Sequence, residues 1–378
     1  MSNAHVLNAD CLAALRDMPD ASVDAIVTDP PYGLSNTTPA QVADTITRWV
    51  TGDREYLPTG RGFMGHEWDG FVPPVAVWDE CLRVLKPGGH LLAFAGSRTH
   101  DLMTLGIRLA GFDIRDSIAW LHAQGFPKAK SQLKPAFEPV TLARKPLTGT
   151  VAANVQEHGT GALNIDGCRI GMSDADRAVV DNRSGVSTRP SGPFLGGIGQ
   201  REGLYKSDPA GRWPANVVLD ESQAAELDRQ SGNVKTGATK PHRRDPDSAP
   251  MFKVGKWMTH SQAASEGGAS RFFYVAKAPK SERPVVDGTA HPTVKPLALM
   301  RWLVRMVTPP GGTVLDPFAG SGTTLEAAML EGFNVIGIER EAGYLPLIHA
   351  RIDRATAELE ARAEADADTL FPIDGAAS

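Results

Sequence analysis

Two short motifs contain residue types suited to chemistry, and each directly follows an apolar segment. The first is Asp-Pro-Pro-Tyr at residues 29–32, after the apolar run 23–28. The second is Asp-Pro-Phe-Ala-Gly-Ser-Gly-Thr-Thr at residues 316–324, which begins 287 residues later (316 minus 29). The first motif is suited to gripping a planar amine, and the second to holding a nucleoside cofactor.

The first motif offers two hydrogen-bond acceptors and an aromatic face. An exocyclic amine on adenine or cytosine is a weak nucleophile, because its lone pair is delocalised into the ring. The Asp29 carboxylate and the Pro30 carbonyl can accept its two N–H bonds, and the rigid Pro30-Pro31 pair fixes the turn that presents them. Tyr32 supplies a face for a flipped base. The predicted reaction is a direct displacement, favoured by positioning and electrostatics. The alternative is an extended turn without chemistry.

The second motif predicts a tight turn between a strand and a helix. Gly320 and Gly322 allow the backbone to approach a ligand closely, and a helix beginning at Thr323 directs its free N–H groups at that turn. A Walker phosphate loop requires Gly-Lys-Ser/Thr, and a dinucleotide fingerprint requires a third small residue where Leu325 stands. S-adenosylmethionine (SAM) has no phosphate, so this shorter glycine turn favours SAM.

Three further residues complete the predicted cofactor site. Asp316 is expected to face the cationic end of the methionine group, and Phe318 is expected to pack against the cofactor. Glu339 ends the next apolar run, 23 residues after Asp316 (339 minus 316). An acid at that position can accept hydrogen bonds from both ribose hydroxyls. The alternative for the glycines alone is a plain structural turn.

Composition is that of a globular protein: 378 residues, 42% hydrophobic and 22% charged. No apolar stretch reaches the roughly 18 residues of a membrane span, and no secretory signal begins the chain. We therefore expect a cytoplasmic location and no membrane association. Cys11, Cys81 and Cys168 form no Cys-x-x-Cys pair, so we expect neither a disulfide framework nor a metal site.

The net charge of −5 conceals an asymmetry. Residues 128–295 contain 24 Lys+Arg and 17 Asp+Glu, a net of +7, whereas the remainder contains 15 and 27, a net of −12. A basic middle between acidic flanks predicts a polyanion-binding module within an acidic enzyme core. The alternative is a chance segregation of solvated charge. Candidate contacts to nucleic acid are Lys128, Lys130, Lys134, Arg243, Arg244 and Arg271.

The two ends of the chain alternate between strand-like and helix-like patterns, which predicts a parallel sheet with helices on both faces. Predicted strands are 23–28, 90–95, 113–121, 140–143, 313–315 and 334–338, and predicted helices are 74–85, 101–110, 296–307, 323–331 and 344–367.

Two segments depart from this alternation. Residues 33–72 are predicted to be irregular and to form a mobile active-site lid, since loops of this length are usually functional. Trp68 of this segment is a candidate to fill the gap left by a flipped base, or alternatively a packed structural residue. Residues 147–285 are rich in Gly, Ser, Pro, Asp and Arg, which predicts a separate loop-rich domain.

These residues resemble the beta class of SAM-dependent DNA amino-methyltransferases. Gly-Thr-Gly-Ala-Leu-Asn-Ile-Asp at 159–166 and Arg-Phe-Phe-Tyr at 271–274 are similar to phage and prophage DNA methylases. That class places the catalytic tetrapeptide first, target recognition in the middle and the cofactor motif last, a circularly permuted order that this chain shares. The resemblance implies an α/β fold: a Rossmann-like sheet, with both motifs at neighbouring strand ends around the topological switch point.

The domain organisation follows from the resemblance. It implies a catalytic half at 1–146 with the mobile loop 33–72, a target-recognition domain at 147–285, and a SAM-binding half with a C-terminal helix at 286–378.

The resemblance also assigns individual residues and partners. Asp10 is expected to reach the cofactor's adenine, and Thr293 and Lys295 are expected to line its methionine end. Asp at the first motif position is commoner among adenine-N6 enzymes than among cytosine-N4 enzymes, so Asp29 favours adenine. The implied partner is double-stranded DNA. A homodimer and a restriction endonuclease partner remain open.

Other functions remain alternatives from the sequence. The same chemistry suits cytosine N4, and RNA or protein-glutamine methyltransferases use a similar Pro-Pro-Tyr grip. A DNA-binding protein without catalysis is an alternative of a different class.

Overall fold

The computed structural model describes residues 3–60, 62, 67–123, 125, 133–182, 207–236, 265–277, 282, 284–286 and 288–370. Contacts divide the chain into two compact units. Unit 1 comprises Met1–Cys168, Asn216–Glu221 and Ala276–Ser378, and unit 2 comprises Arg169–Ala215 and Ser222–Val275.

Strands and helices are numbered in chain order. The strands are β1 (Ala4–Asn8), β2 (Val23–Thr28), β3 (Leu85–Phe94), β4 (Asp113–Leu121), β5 (Phe137–Arg144), β6 (Val217–Asp220), β7 (Val234–Thr236), β8 (Ser265–Gly267), β9 (Tyr274–Ala276), β10 (Val285–Val286), β11 (Thr289–Ala290), β12 (Thr313–Asp316) and β13 (Asn334–Glu339). The helices are α1 (Cys11–Asp17), α2 (Pro39–Thr51), α3 (Val75–Val84), α4 (His100–Leu109), α5 (Val151–His158), α6 (Asp174–Asn182), α7 (Glu221–Ser231), α8 (Leu297–Val307), α9 (Thr323–Leu330) and α10 (Leu345–Leu370).

Unit 1 is built on a mostly parallel sheet, as the sequence predicts. Its strands follow the order β1-β13-β12-β2-β3-β5-β4-β6. Only β5 runs antiparallel to its two neighbours; the other pairs in this order are parallel. Every residue of β2 is buried, which accounts for the mostly apolar character of that strand.

The two sequence motifs lie side by side in this sheet. Strand β12 pairs directly with β2, with Val314 opposite Ala25 and Leu315 opposite Ile26. Because the strands are parallel, their carboxyl ends meet at one edge. The prediction that both motifs follow neighbouring strand ends is therefore confirmed.

The prediction that residues 33–72 are irregular throughout is wrong, because the segment contains α2. Thr38 and Gln41 form a reciprocal capping box, and Gly52 ends the helix in the left-handed conformation. Trp49 of α2 is fully buried and meets Phe71 edge-on, with ring centroids 5.9 Å apart. These cap signals are present in the sequence. The mobility of the segment stays a prediction.

The strand after α3 begins earlier than expected. The Lys-Pro-Gly-Gly run at 86–89 belongs to β3, which starts at Leu85 directly after the helix. Side-chain patterning identified only the buried half of this strand, from His90 onward.

Unit 2 falls within the predicted recognition region but has different bounds. It excludes 147–168, which holds α5 and belongs to unit 1. Within unit 2, Asp176 pairs with Arg212 at 2.9 Å and with Arg271 at 3.4 Å. The role of unit 2 in target recognition stays a prediction.

Candidate active site

A cavity of ≈ 1350 Å³ opens at the carboxyl ends of β2 and β12. Nearly all of the residues predicted to act in catalysis or cofactor binding line it. They are Asp10, Asp29, Pro30, Pro31, Tyr32, Thr293, Lys295, Asp316, Phe318, Gly320, Thr323 and Glu339. Gly322 is the exception: a Cβ there would lie 3.0 Å from the Ile348 backbone, so this glycine permits close packing of α10.

A buried carboxylate shapes the turn after β2. Asp69 accepts hydrogen bonds from the Tyr32 and Gly33 backbone amides at 2.8 and 3.0 Å. Gly33 has a φ of +65°, and a Cβ would lie 2.7 Å from the Val72 nitrogen. Sequence reasoning noted this glycine-rich segment but did not assign Asp69. The side chain fixes the loop so that the tetrapeptide keeps one conformation.

Tyr32 is held from both ends. The Thr99 hydroxyl donates to the Tyr32 carbonyl at 2.6 Å, and the Tyr32 hydroxyl donates to Glu138 Oε2 at 2.7 Å. Burial, together with the neighbouring carboxylates of Asp29 and Glu138, raises the pKa of Tyr32 well above its usual value. The ring is therefore a neutral, fixed surface.

Lys295 contacts the tetrapeptide directly. Its Nζ lies 2.5 Å from Asp29 Oδ2 and 3.3 Å from Glu138 Oε2. Burial lowers the pKa of Lys295, but the two carboxylates outweigh it and raise the pKa overall. The second oxygen of Asp29, Oδ1, is buried and has no hydrogen-bond partner within the described part of the chain.

Asp316 ends β12 among neutral donors. Its Oδ1 accepts from the Thr28 hydroxyl at 2.6 Å and from the Phe318 amide at 3.1 Å. Burial raises the pKa of Asp316 to about 6; the hydrogen bond from Thr28 opposes this rise, and the charge of Asp29 adds to it. No salt bridge reaches Asp316 from the residues the structure describes.

Glu339 is oriented by backbone amides. Gly320 donates to its Oε2 at 2.7 Å, and Glu341 donates to its Oε1 at 2.8 Å. Burial raises the pKa of this carboxyl too. Each carboxylate oxygen can accept a second hydrogen bond, so both remain able to bind a pair of hydroxyls.

Asp10 has a structural task that the sequence did not reveal. Its Oδ1 accepts from the Leu12 and Ala13 amides at 3.0 and 3.2 Å and so caps α1. Asp10 also lines the cavity. It lies two residues after Asn8, which is opposite Glu339 where β1 pairs with β13.

Aromatic rings border the cavity beside Gly320. His291 and Tyr344 lie edge-on, with centroids 4.6 Å apart, and Trp68 lies nearly parallel to His291 at 6.4 Å. A Cβ on Gly320 would lie 3.2 Å from His291 Nε2, so the glycine makes room for this ring. His291 and Tyr344 were not predicted as site residues.

The candidate DNA contacts are only partly described. Lys134 is exposed and lines the cavity. Arg271 is paired with Asp176 in unit 2, and its guanidinium lies 4.9 Å from the Phe272 ring centroid. Lys128, Lys130, Arg243 and Arg244 lie outside the described residues.

No helix in the described ranges combines the length and the apolar character needed to cross a membrane. Among those same residues, no group of His, Cys, Asp and Glu is arranged to hold a metal ion.

Comparison with protein families gives a match over residues 23–350 to the N6/N4 methyltransferases, described as DNA methylase. The chain belongs to this family. It is a DNA methyltransferase of the adenine-N6 and cytosine-N4 type, with SAM as its methyl donor. The family resemblance drawn from the two motifs is thus confirmed.

Individual relatives span different parts of the chain. DNA adenine methyltransferase YhdJ of Escherichia coli K12 is 23% identical over 359 residues, 93% of this chain and 83% of the relative. Type II methyltransferase M.ScaI of Streptomyces caespitosus is 38% identical over 91 residues, 24% of this chain and 26% of the relative. The solved cytosine-N4-specific PvuII DNA methyltransferase is 15% identical, with a TM-score of 0.47 over 93% of this chain and 86% of that chain.

Proposed function

We propose that this DNA methyltransferase acts on the N6 amine of a flipped adenine in double-stranded DNA, with cytosine N4 as the alternative. The observation that carries the proposal is Asp29 Oδ1, a buried acceptor without a partner among the described residues. An unsatisfied buried acceptor is costly, and an amine N–H would satisfy it. The adenine preference is supported by Asp at this position and by YhdJ, the relative named as an adenine methyltransferase.

The residues around Asp29 account for the transfer step. Asp29 and the Pro30 carbonyl accept the two amine N–H bonds, which frees the nitrogen lone pair, while Tyr32 stacks on the base. SAM, when bound, supplies a methyl group activated by its sulfonium. Once the nitrogen has been methylated, Asp29, which accepts one of its N–H bonds, takes the proton that the amine releases. Lys295 lies at this amine site through its contact with Asp29.

The other half of the cavity suits the cofactor. We assign Asp316 to the cationic methionine end, Phe318 to packing and Glu339 to the ribose hydroxyls. The fit rests on Asp316, a buried carboxylate whose donors among the described residues are all neutral, and on the cradle formed at Gly320. Asp10, Thr293 and Thr323 complete the assigned contacts.

Unit 2 is proposed as the target-recognition region, with the motif order circularly permuted. Its support is the basic charge of the middle of the chain and its aromatic side chains under guanidinium groups. Trp213 is 66% exposed and lies beneath Arg169, at 5.5 Å. Phe272 lies beneath Arg212, at 4.8 Å. Such pairs suit contacts to nucleic acid. The homodimer, the restriction endonuclease partner and the cytoplasmic location stay predictions.

Nucleoside mass spectrometry tests the proposal. Unmethylated DNA is incubated with the protein and SAM and then digested. N6-methyladenine is the expected product. N4-methylcytosine would keep the mechanism and overturn the base assignment. If neither product forms although calorimetry demonstrates SAM binding, the proposal that this chain methylates naked DNA is overturned.

A further inference from the structure

Glu138 stands at the centre of the amine site although it belongs to neither motif. It lies on β5, and its carboxylate is 22% exposed. Its Oε2 accepts from the Tyr32 hydroxyl at 2.7 Å and lies 3.3 Å from Lys295 Nζ. Its Oε1 lies 3.6 Å from His122 Nε2. The Glu138 carboxylate thus contacts both Tyr32 and Lys295, the two side chains that lie beside Asp29.

Two carboxylates therefore share one buried ammonium group. Lys295 is only 8% exposed, and its Nζ also lies 5.2 and 5.0 Å from the ring centroids of Tyr32 and Phe94. An ammonium in such a site requires a counter-charge, because a buried charge left unpaired is strongly unfavourable. Asp29 supplies one, and Glu138 supplies the other.

The shared lysine matters because Asp29 gains a second partner when the amine binds. Asp29 Oδ2 is bonded to Lys295, and Oδ1 is the acceptor proposed for the amine. A hydrogen bond to Oδ1 draws on the charge of the same carboxylate, so it weakens the contact between Oδ2 and the lysine. If Asp29 were the only counter-charge, the buried ammonium would then be poorly balanced. Glu138 keeps the ammonium paired while the amine is bound.

We propose that Glu138 is a positioning residue for methyl transfer, which retains Lys295 and the Tyr32 ring in place while Asp29 binds the target amine. The inference rests on the proposed function of this site. Burial by itself would raise the pKa of Glu138, but the Lys295 charge and the Tyr32 hydrogen bond lower it overall, so this carboxyl is anionic at neutral pH.

Glu138→Gln is the decisive variant. Glutamine keeps the size and an acceptor for the Tyr32 hydroxyl but removes the charge that faces Lys295. We expect kcat for DNA methylation to fall roughly 10- to 100-fold, as for a misplaced catalytic group. We also expect the Kd for SAM and the KM for DNA to stay near wild-type values. Glu157→Gln, a change of the same kind on the exposed face of α5, is the matched control and should leave kcat unchanged.

A double-mutant cycle separates positioning from a general packing role. If Glu138 acts through Lys295, Glu138→Gln should lower kcat far less in a Lys295→Met background than in wild type. Tyr32→Phe, which removes only the hydroxyl bond, should cost less than Glu138→Gln. Glu138→Asp restores the charge and should recover part of the activity, and it remains informative should Glu138→Gln fail to fold.

Two outcomes would overturn the inference. One is a kcat of Glu138→Gln within about twofold of wild type, well below the loss expected of a misplaced group. The other is an undiminished effect of the variant in the Lys295→Met background. Both require an active wild-type enzyme. A wild-type protein that binds SAM and methylates no DNA would instead refute the proposed function.

Discussion

Two aspartates at the ends of adjacent strands have opposite surroundings. Asp29, after β2, is bonded to the buried ammonium of Lys295 at 2.5 Å. Asp316, at the end of β12, accepts from neutral hydroxyl and amide donors, and burial raises its pKa to about 6. Within the described part of the chain, one carboxylate is paired with a cation and the other is not.

The difference indicates what each carboxylate is prepared to bind. A carboxylate whose charge is already balanced can accept N–H bonds from a neutral amine at little electrostatic cost. A buried carboxylate without a cation gains most from a ligand that is itself positive, because a nearby opposite charge favours its ionised form. Under the proposed function, this contrast would direct the neutral base and the cationic cofactor to different strand ends.

The largest expected effect comes from removing the first carboxylate. Asp29→Ala should lower methyl transfer roughly 1,000-fold, since it deletes an acceptor aimed at the reacting nitrogen. The Kd for SAM should change little. Quantified methyl-nucleoside formation and calorimetry provide the two measurements. Full activity in this variant would break the assignment of Asp29.

The second effect is on the pH dependence of SAM binding. The bound cation requires ionised Asp316, so affinity should be constant above about pH 6 and fall by up to about tenfold per unit below it. The raised pKa of Glu339 acts in the same direction. Calorimetric titration between pH 5 and pH 8 measures this. The Asp316→Asn variant should bind SAM more weakly and lose the part of the pH dependence that arises from Asp316.

The two carboxamide variants should move stability in opposite directions. A rise of the Asp316 pKa from 3.8 to about 6 costs the folded state about 3 kcal/mol at neutral pH; this cost develops as pH rises from about 4 to 6. Asp316→Asn should therefore raise the free energy of unfolding at pH 8. Asp29→Asn should lower it by about 1–3 kcal/mol, because it weakens the pairing of Lys295. Denaturant unfolding without ligand checks both signs, and equal signs would contradict the contrast.

The smallest effect concerns the hydroxyl that connects the two strands. Thr28→Val removes the donor to Asp316 Oδ1 and should cost about 1 kcal/mol of stability. It should also move the midpoint of the SAM pH profile upward, because the Thr28 hydrogen bond lowers the pKa of Asp316. Thr28→Ser keeps the hydroxyl and is the matched control. A shift toward lower pH in the valine variant would contradict the account.

Sequence reasoning succeeded where a local pattern carried the information. The buried strands β2 and β12 and the acids at or after their ends were predicted, since each depends on a few adjacent residues. Glu138 was missed because nothing near β5 in the sequence indicates that it faces the tetrapeptide. The Lys295–Asp29 pair was missed because its partners are 266 residues apart. Such contacts follow from strand order, which local patterns do not specify.

The position of β12 between β2 and β13 has a consequence for synthesis of the chain. Strand β2 leaves the ribosome near the beginning of translation, but the neighbour that covers its edge is encoded some 290 residues later, at Thr313–Asp316. Until then the backbone N–H and C=O groups along this edge of β2 are open to pairing with other chains, so nascent and truncated forms are expected to be prone to aggregation. A product ending before β12 would also lack Asp316 and Glu339. Release of a stable fragment that occupies DNA without methylating it is therefore disfavoured by the topology itself.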